Sequence, residues 1–356
     1  MVPGLDPDLR LLLGGILGLL AVVALLVLAG AWIQVHRDRQ NQRRIAHFRV
    51  WEKDLAIYLF QGIRPFPPIA PEDRELFQSF LARYHQTLAG QEAEALRELY
   101  LHIGVHHTVA ARLRSRIAPV RAQAVQEVSL FRLWDHLDAV GLLLEDPAPY
   151  VSHLAAQALA RSRDLRHAPP VFRWIRRESR YQRERLLRVL EAFGPELLPW
   201  MEVHLAAPAR DPGPWILFAL LTASHRHRES ESRLLDLLEV PHTDLQASAL
   251  KALGALADPR TYAQVLPMAR HADWPVRAQA AKALGLIGGP QAIPILTELA
   301  GDAVFEVRRN AAQGLADLGH AGTEALAWLS EDPGSDRFAR DMARERLEWA
   351  HERGHQ

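Results

Sequence analysis

Between Asp273 and Ala316 one pattern is written twice. Residues 273–285 read D-W-P-V-R-A-Q-A-A-K-A-L-G and residues 307–316 read V-R-R-N-A-A-Q-G-L-A. Val276 and Val307, Arg277 and Arg308, Ala281 and Ala312, and Leu284 and Leu315 therefore each stand 31 residues apart. A unit of that length is one helix pair, too thin to bury its own apolar face, so it folds only by stacking on further copies. The register extends both ways: Leu245–Gly254 lies one period earlier, Val151–Ala160 and Val120–Val125 are two further echoes, and Phe338–Ala343 continues from Val307. Residues 182–194 and 212–222 fit only as apolar helices of the right length.

Each unit also has a turn and a first helix. Gly289-Pro290-Gln291-Ala292-Ile293-Pro294 and Gly194-Pro195-Glu196-Leu197-Leu198-Pro199 match as G-P-x-x-[IL]-P, and Asp258-Pro259 stands at the same place in another unit. Glycine closes one helix and proline opens the next. In the second helix Ala280, Ala281 and Ala283 permit close backbone approach while Val276 and Leu284 fill the space between units.

These residues resemble HEAT repeats, in the short form of the HEAT-like repeats of phycobilisome lyases. The resemblance covers about residues 115–350. It implies an all-α fold, a right-handed α-solenoid of about seven to eight helix pairs, with the second helix of each lining a concave face. It also implies that an Asp-x-x-Val-Arg element ties neighbouring units by an Asp–Arg ladder. Asp273 and Arg277 have that spacing, whereas Asp146 and Asp302 stand five residues before their valines, which argues against a continuous ladder.

The N-terminus is of a different kind. From Leu11 to Val35 no residue is charged, and fifteen are Leu, Ile or Val. Twenty-five helical residues reach about 37 Å against about 30 Å of hydrocarbon, so residues 11–35 are expected to span a membrane. Arg37, Arg39, Arg43, Arg44 and Arg49 follow the segment, which puts the array in the cytoplasm and residues 1–10 outside. The competing reading is a cleaved signal peptide ending near Ala29-Gly30-Ala31, but the run is too long and its start is not basic. Gly14 and Gly18 form a G-x-x-x-G that permits two such helices to pair, and the oligomeric state is otherwise open.

Residues 36–71 read as a continuing helix ended by Gly62 and a proline-rich turn. Its stripe of Ile45, Phe48, Trp51, Tyr58 and Leu59 suits either an interfacial helix on anionic headgroups or packing on the helices that follow. Residues 72–115 read as a helical cap over the first open face, 116–350 as the solenoid and 351–356 as a tail.

Candidate chemistry is sparse. The chain has no cysteine, hence no disulfide and no thiolate nucleophile. His102, His106 and His107 lack the glutamate base and third ligand of a helical zinc site. Deoxyhypusine hydroxylases hold two irons with several His-Glu dipeptides, but here the dipeptide occurs once, at His351-Glu352, which rejects that activity. No phosphate-binding glycine loop or paired catalytic carboxylates stand out. Basic and acidic residues balance at 42 each, so the whole chain has no bias toward nucleic acid. Locally, residues 161–188 hold ten arginines against Asp164, Glu178 and Glu184, with Phe172, Trp174 and Tyr181 between them. Arg173, Arg176, Arg177, Arg180, Arg183, Arg185 and Arg188 form this candidate basic patch for phosphates, anionic lipid or an acidic partner; an ordinary arginine-rich surface fits equally.

The expected function is that of a non-enzymatic scaffold in a bacterial inner membrane, single-pass, without cofactor or metal, docking a partner protein on its solenoid. Arg277, Gln279, Lys282, Arg308, Arg309, Asn310 and Gln313 are the candidate docking residues of the last full units. Fold analogy alone extends the partner to a membrane enzyme complex such as an envelope glycosyltransferase.

Overall fold

The structure is a computed structural model. It describes all residues except 1–6, 61–65, 86, 89, 178–182 and 355–356, and describes no side chains for 7–17, 20, 21, 33, 35–41, 43, 105 and 349–354. Among the described residues every regular element is a helix. The chain divides into two compact units, Met1–Arg112 and Leu113–Gln356.

The first unit consists of α1 (Pro7–Phe60), α2 (Arg74–His85), α3 (Gly90–Ile103) and most of the short α4 (Val109–Leu113). The C-terminal part of α1 presents Phe48, Trp51, Leu55 and Tyr58 at helical spacing, and all four are buried. Phe48 meets Phe80 edge-on at 5.1 Å between ring centres, Trp51 meets Phe77 at 4.9 Å, and Phe66 bridges Tyr58 and Phe77. The aromatic stripe is thus a core, which decides between its two readings in favour of packing. Ile45 stays exposed because it sits off that face.

Among the described residues no helix is long and apolar enough to cross a membrane, so the span expected over residues 11–35 is not borne out there. Part of that segment, Gly14 included, falls on residues whose side chains are not described.

The second unit is the array. After α5 (Ala118–Leu130) come α6 (Leu137–Leu142) and α7 (Pro149–Arg161), α8 (Ala168–Arg177) and α9 (Arg183–Glu191), then α10 (Leu197–His204) and α11 (Pro212–His225). They are followed by α12 (Glu231–Leu238) and α13 (Thr243–Leu256), α14 (Tyr262–Val265) and α15 (Trp274–Ile287), α16 (Ile293–Leu299) and α17 (Phe305–Asp317), and α18 (His320–Glu331) and α19 (Arg337–Gly354). The odd-numbered second helices from α5 to α19 stack in order, each on the next. Residues 182–194 and 212–222, loose fits in the sequence, supply α9 and α11 and keep the stack unbroken.

The period is written in the backbone more regularly than in the side chains. Arg132, Arg163, Gly194, Arg226, Ala257, Gly289 and Gly319 each follow a second helix and each has φ between +50° and +88°. A left-handed residue there turns the chain into the next first helix. Only three of the seven are glycine, so the motif G-P-x-x-[IL]-P exposes fewer than half of the turns. In the unit carrying Asp258-Pro259 the left-handed residue is Ala257, one place before the aspartate, and Asp258 then caps the following turn by accepting the Arg260 N–H at 2.9 Å.

Small residues set the distance between second helices. A Cβ on Gly254 would stand 3.1 Å from Ala283 Cα, and one on Gly285 would run into Gly314 Cα. Around this seam Val276, Leu284, Val307 and Leu315 are fully buried. Gly285→Ala is therefore expected to lower stability by about 1–3 kcal/mol, as overpacking of one backbone on another does. Ala257→Gly is expected to raise it by about 0.5–1 kcal/mol through relief of the left-handed strain. Urea midpoints of the two variants should move in opposite directions from that of the parent chain.

Candidate functional site

The seam between repeats decides which of the predicted docking residues are available. Arg277, at the start of α15, donates through Nε and Nη2 to both oxygens of Asp302 at 2.8 and 3.1 Å, and through Nη1 to the carbonyls of His271 and Ala272. Arg121, on α5 at the start of the array, does the same with Asp146 at 2.6 and 2.8 Å and the Ser115 carbonyl at 2.7 Å. In both cases the aspartate lies 25 residues after its arginine, and it also caps the next second helix by accepting from Ala148 or Val304. The rungs use Asp146 and Asp302, the two aspartates whose spacing argued against them. Asp273, with the expected spacing, instead accepts from Thr243. The reason is geometric: a guanidinium reaching across to the next repeat meets the loop before that repeat's second helix, so the distance along the chain from arginine to aspartate is what counts.

Arg308 is buried; it donates to the carbonyls of Asp302 and Ala303 and lies 4.9 Å from the centre of the Phe338 ring. Asn310 donates to Ala278 O at 2.9 Å across the same seam. Arg277, Arg308 and Asn310 are therefore structural ties between repeats, a correction to their expected exposure. Gln313 is half-buried, donating to Asp317 and accepting from Arg346. Gln279 is half-buried, and Lys282 and Arg309 are exposed. These last three remain open to a partner.

The basic stretch is broken up in the same way. Arg176 pairs with Asp211 at 3.1 Å, Arg177 with Glu145 at 3.6 Å and Arg183 with Asp244 at 2.7 Å. Phe172 and Trp174 are buried, Trp174 donating to Ser152 Oγ at 3.3 Å, so they are core and offer no stacking surface. Arg173 is exposed on α8, while Arg185 and Arg188 are exposed on α9. Arg180 and Tyr181 fall outside the described residues. Arg176, Asp211, Arg183 and Asp244 rim a cavity of about 200 Å³ floored by Ile175, Leu186, Ile216 and Leu217. Among the described residues no group of three His, Asp or Glu side chains is placed to hold a metal.

One side of the second helices forms two regular rows, exposed or half-buried except at Leu217, which is buried, with Asn310 tied across the seam. One runs Gln126, Gln157, Arg188, Leu220, Lys251, Lys282, Gln313, with steps of 31 residues and a single step of 32 before Leu220. The other runs three residues ahead of it: Gln123, Leu154, Arg185, Leu217, Ser248, Gln279, Asn310. Arg185 and Arg188 came from the basic stretch and Gln279, Lys282, Asn310 and Gln313 from the docking set; stacking brings these two sets onto one surface. Lys251 was missed, although it stands 31 residues before Lys282 and only three lysines occur in the chain. Burial, together with the Arg185 and Arg188 charges, holds the pKa of His153 on α7 below its ordinary value.

Comparison with known proteins agrees with this architecture. The chain matches the HEAT-repeat family over residues 231–316 and 264–348. Residues 231–348 are HEAT repeats. No curated protein matches the chain. Among solved structures it is similar to an engineered protein (16% identity over 80% of this chain and 92% of that one, TM-score 0.36). It is also similar to the complex of CpcE and CpcF of phycocyanin lyase from Nostoc sp. PCC7120 (17% identity over 69% of this chain and 94% of that one, TM-score 0.25). The family match covers the repeats in which Val276, Leu284, Val307 and Leu315 are spelled out; the helices before α12 continue the same stack outside it.

The rungs make a prediction about acid. Arg121, with the Ala148 N–H, holds the Asp146 carboxyl below its usual value. Burial pushes Asp302 up, but Arg277 and the Val304 N–H outweigh it and the net shift is downward. Asp258, held by the side chain and N–H of Arg260, comes down to about 2. A lowered carboxylate stabilises the fold fully above the unfolded value of about 4, and the contribution is lost as pH falls through the folded value. At pH 7 Asp302→Asn is expected to be less stable by roughly 1–3 kcal/mol, the size of a charge-assisted hydrogen bond. Urea midpoints of variant and parent should converge as the pH is lowered below about 4.

Proposed function

We propose that this chain is a membrane-anchored scaffold whose HEAT array docks a partner protein on its second-helix face, without catalysing a reaction. The observation that carries the docking reading is the face itself. Once per repeat, from α5 to α17, it presents a long polar or charged side chain, interrupted only at Leu220, while the opposite sides of these helices are buried. Arrays of this kind offer extended surfaces suited to a protein partner.

The anchor reading is supported by residues 11–35 and the arginines that follow. Along α1 the described side chains of Leu19, Leu25, Leu26, Val27, Leu28 and Trp32 are each about two-thirds exposed. A helix that is apolar on every side needs a cover, and a single-pass arrangement in a bacterial inner membrane, N-terminus outside, supplies one. An anchor would restrict the partner to the membrane, where a membrane enzyme complex is the class that fits, and would raise its local concentration.

Because the chain has no cysteine, single cysteines report its topology without background. In intact spheroplasts a membrane-impermeant maleimide should label Asp8→Cys and leave Arg116→Cys unlabelled; the reverse pattern would sink the orientation. A photo-reactive residue at Gln279 should cross-link a protein in native membranes, and the same residue at Val203, exposed on the first helix α10, should not. Equal cross-linking from both positions would remove the docking face.

A further inference from the structure

The two rows on the second-helix face hold fourteen side chains from α5 to α17, and none is a carboxylate, in a chain with as many acids as bases. Four are cations: Arg185, Arg188, Lys251 and Lys282, all exposed. Arg188, Lys251 and Lys282 make no ion pair among the described residues, whereas the arginines at the edge of the array, Arg176 and Arg183, are neutralised by acids. Of the nearby acids, Asp244 is paired with Arg183, whereas Glu191 and Asp317 accept from the neutral Ser224 and Gln313. The two rows themselves therefore carry net positive charge: among the described residues Lys251 and Lys282 stand unpaired, and Arg188 has Glu184 and Glu191 beside it on α9 without an ion pair to either.

We infer that the partner segment seated on this strip is acidic and extended, with carboxylates meeting Arg188, Lys251 and Lys282. This rests on the docking reading above and specifies the chemistry of what docks. Packed helices lie about 8–10 Å apart, so Lys251 and Lys282 stand about three extended residues apart, and Arg188, with Leu220 between, about six from Lys251. A segment with one acid in every three residues keeps that register, and the amides of Gln126, Gln157 and Gln279 are placed for its backbone. Nucleic acid fits less well. Its charges recur far more densely, at about one per 1.7 Å of duplex, than three cations spread over α9 to α15 can match. The strip also has no exposed aromatic side chain on which a single strand would stack. Two of only three lysines in an arginine-rich chain fall on this row, as point charges suited to single carboxylates.

The test uses the full chain in detergent micelles and fluorescence anisotropy of a labelled peptide of about five Glu-Gly-Ala repeats. Its Gln-Gly-Ala counterpart and a single-stranded oligothymidine of equal charge serve as rivals. At low salt, about 50 mM, the acidic peptide should bind about tenfold or more tightly than the glutamine peptide and than the oligonucleotide. Lys251→Glu with Lys282→Glu should weaken it about tenfold, the matching pair of arginine substitutions should stay within about twofold, and Arg173→Glu on α8 should change nothing. Equal binding of the glutamine peptide, indifference to the two reversals, or tighter binding of the oligonucleotide would each overturn the inference. Should Gln279 still cross-link a protein in membranes when peptide binding ignores the reversals, only the acidic chemistry fails. Absence of any Gln279 cross-link would remove the docking reading, and this inference with it.

Discussion

Backbone meets backbone along the seam between second helices: not even a Cβ fits on Gly285 where it faces Gly314, and one on Gly254 would crowd Ala283. Everything else in the array follows from that closeness. It brings the valine and leucine of one repeat into the next, so that a thin helix pair acquires a core it could not make alone. It also brings the start of each second helix within reach of the loop that follows in the next repeat, which is where the guanidinium ties form.

Arginine consequently plays two opposed parts at positions that look alike in the sequence. At the start of a second helix its planar fork can meet a carboxylate and one or two carbonyls at once, and Arg121 and Arg277 do so with their side chains mostly out of water. One to three turns further along the helix the same charge points away from the seam and makes no ion pair among the described residues. Arg188, Lys251 and Lys282 are of this second sort. The division between structural and available charge is thus a matter of height along the helix.

Two surfaces of this molecule are left wanting a cover, and they differ in kind. The apolar length of α1 exposes leucine and valine all round, which only lipid or another apolar helix satisfies. The second-helix face exposes amides and cations in rows, which a polar chain satisfies.

The sequence by itself determined the period, the helix-pair unit and the buried side of each second helix, because Val276, Leu284, Val307 and Leu315 are local choices repeated at fixed distance. It also showed the apolar character of residues 11–35 and the arginines beside them. It left α9 and α11 doubtful and the left-handed turns at Arg132, Arg163 and Arg226 unseen, because arginine there carries no signal until the stack forces its backbone to turn. Only the tertiary structure decided that the aromatic stripe of α1 is core, that Arg277, Arg308 and Asn310 bind the repeats together, and that Asp146 and Asp302 are the rungs. Those outcomes depend on which groups face one another across 25 to 32 residues of chain, and that distance is set by how closely two backbones approach.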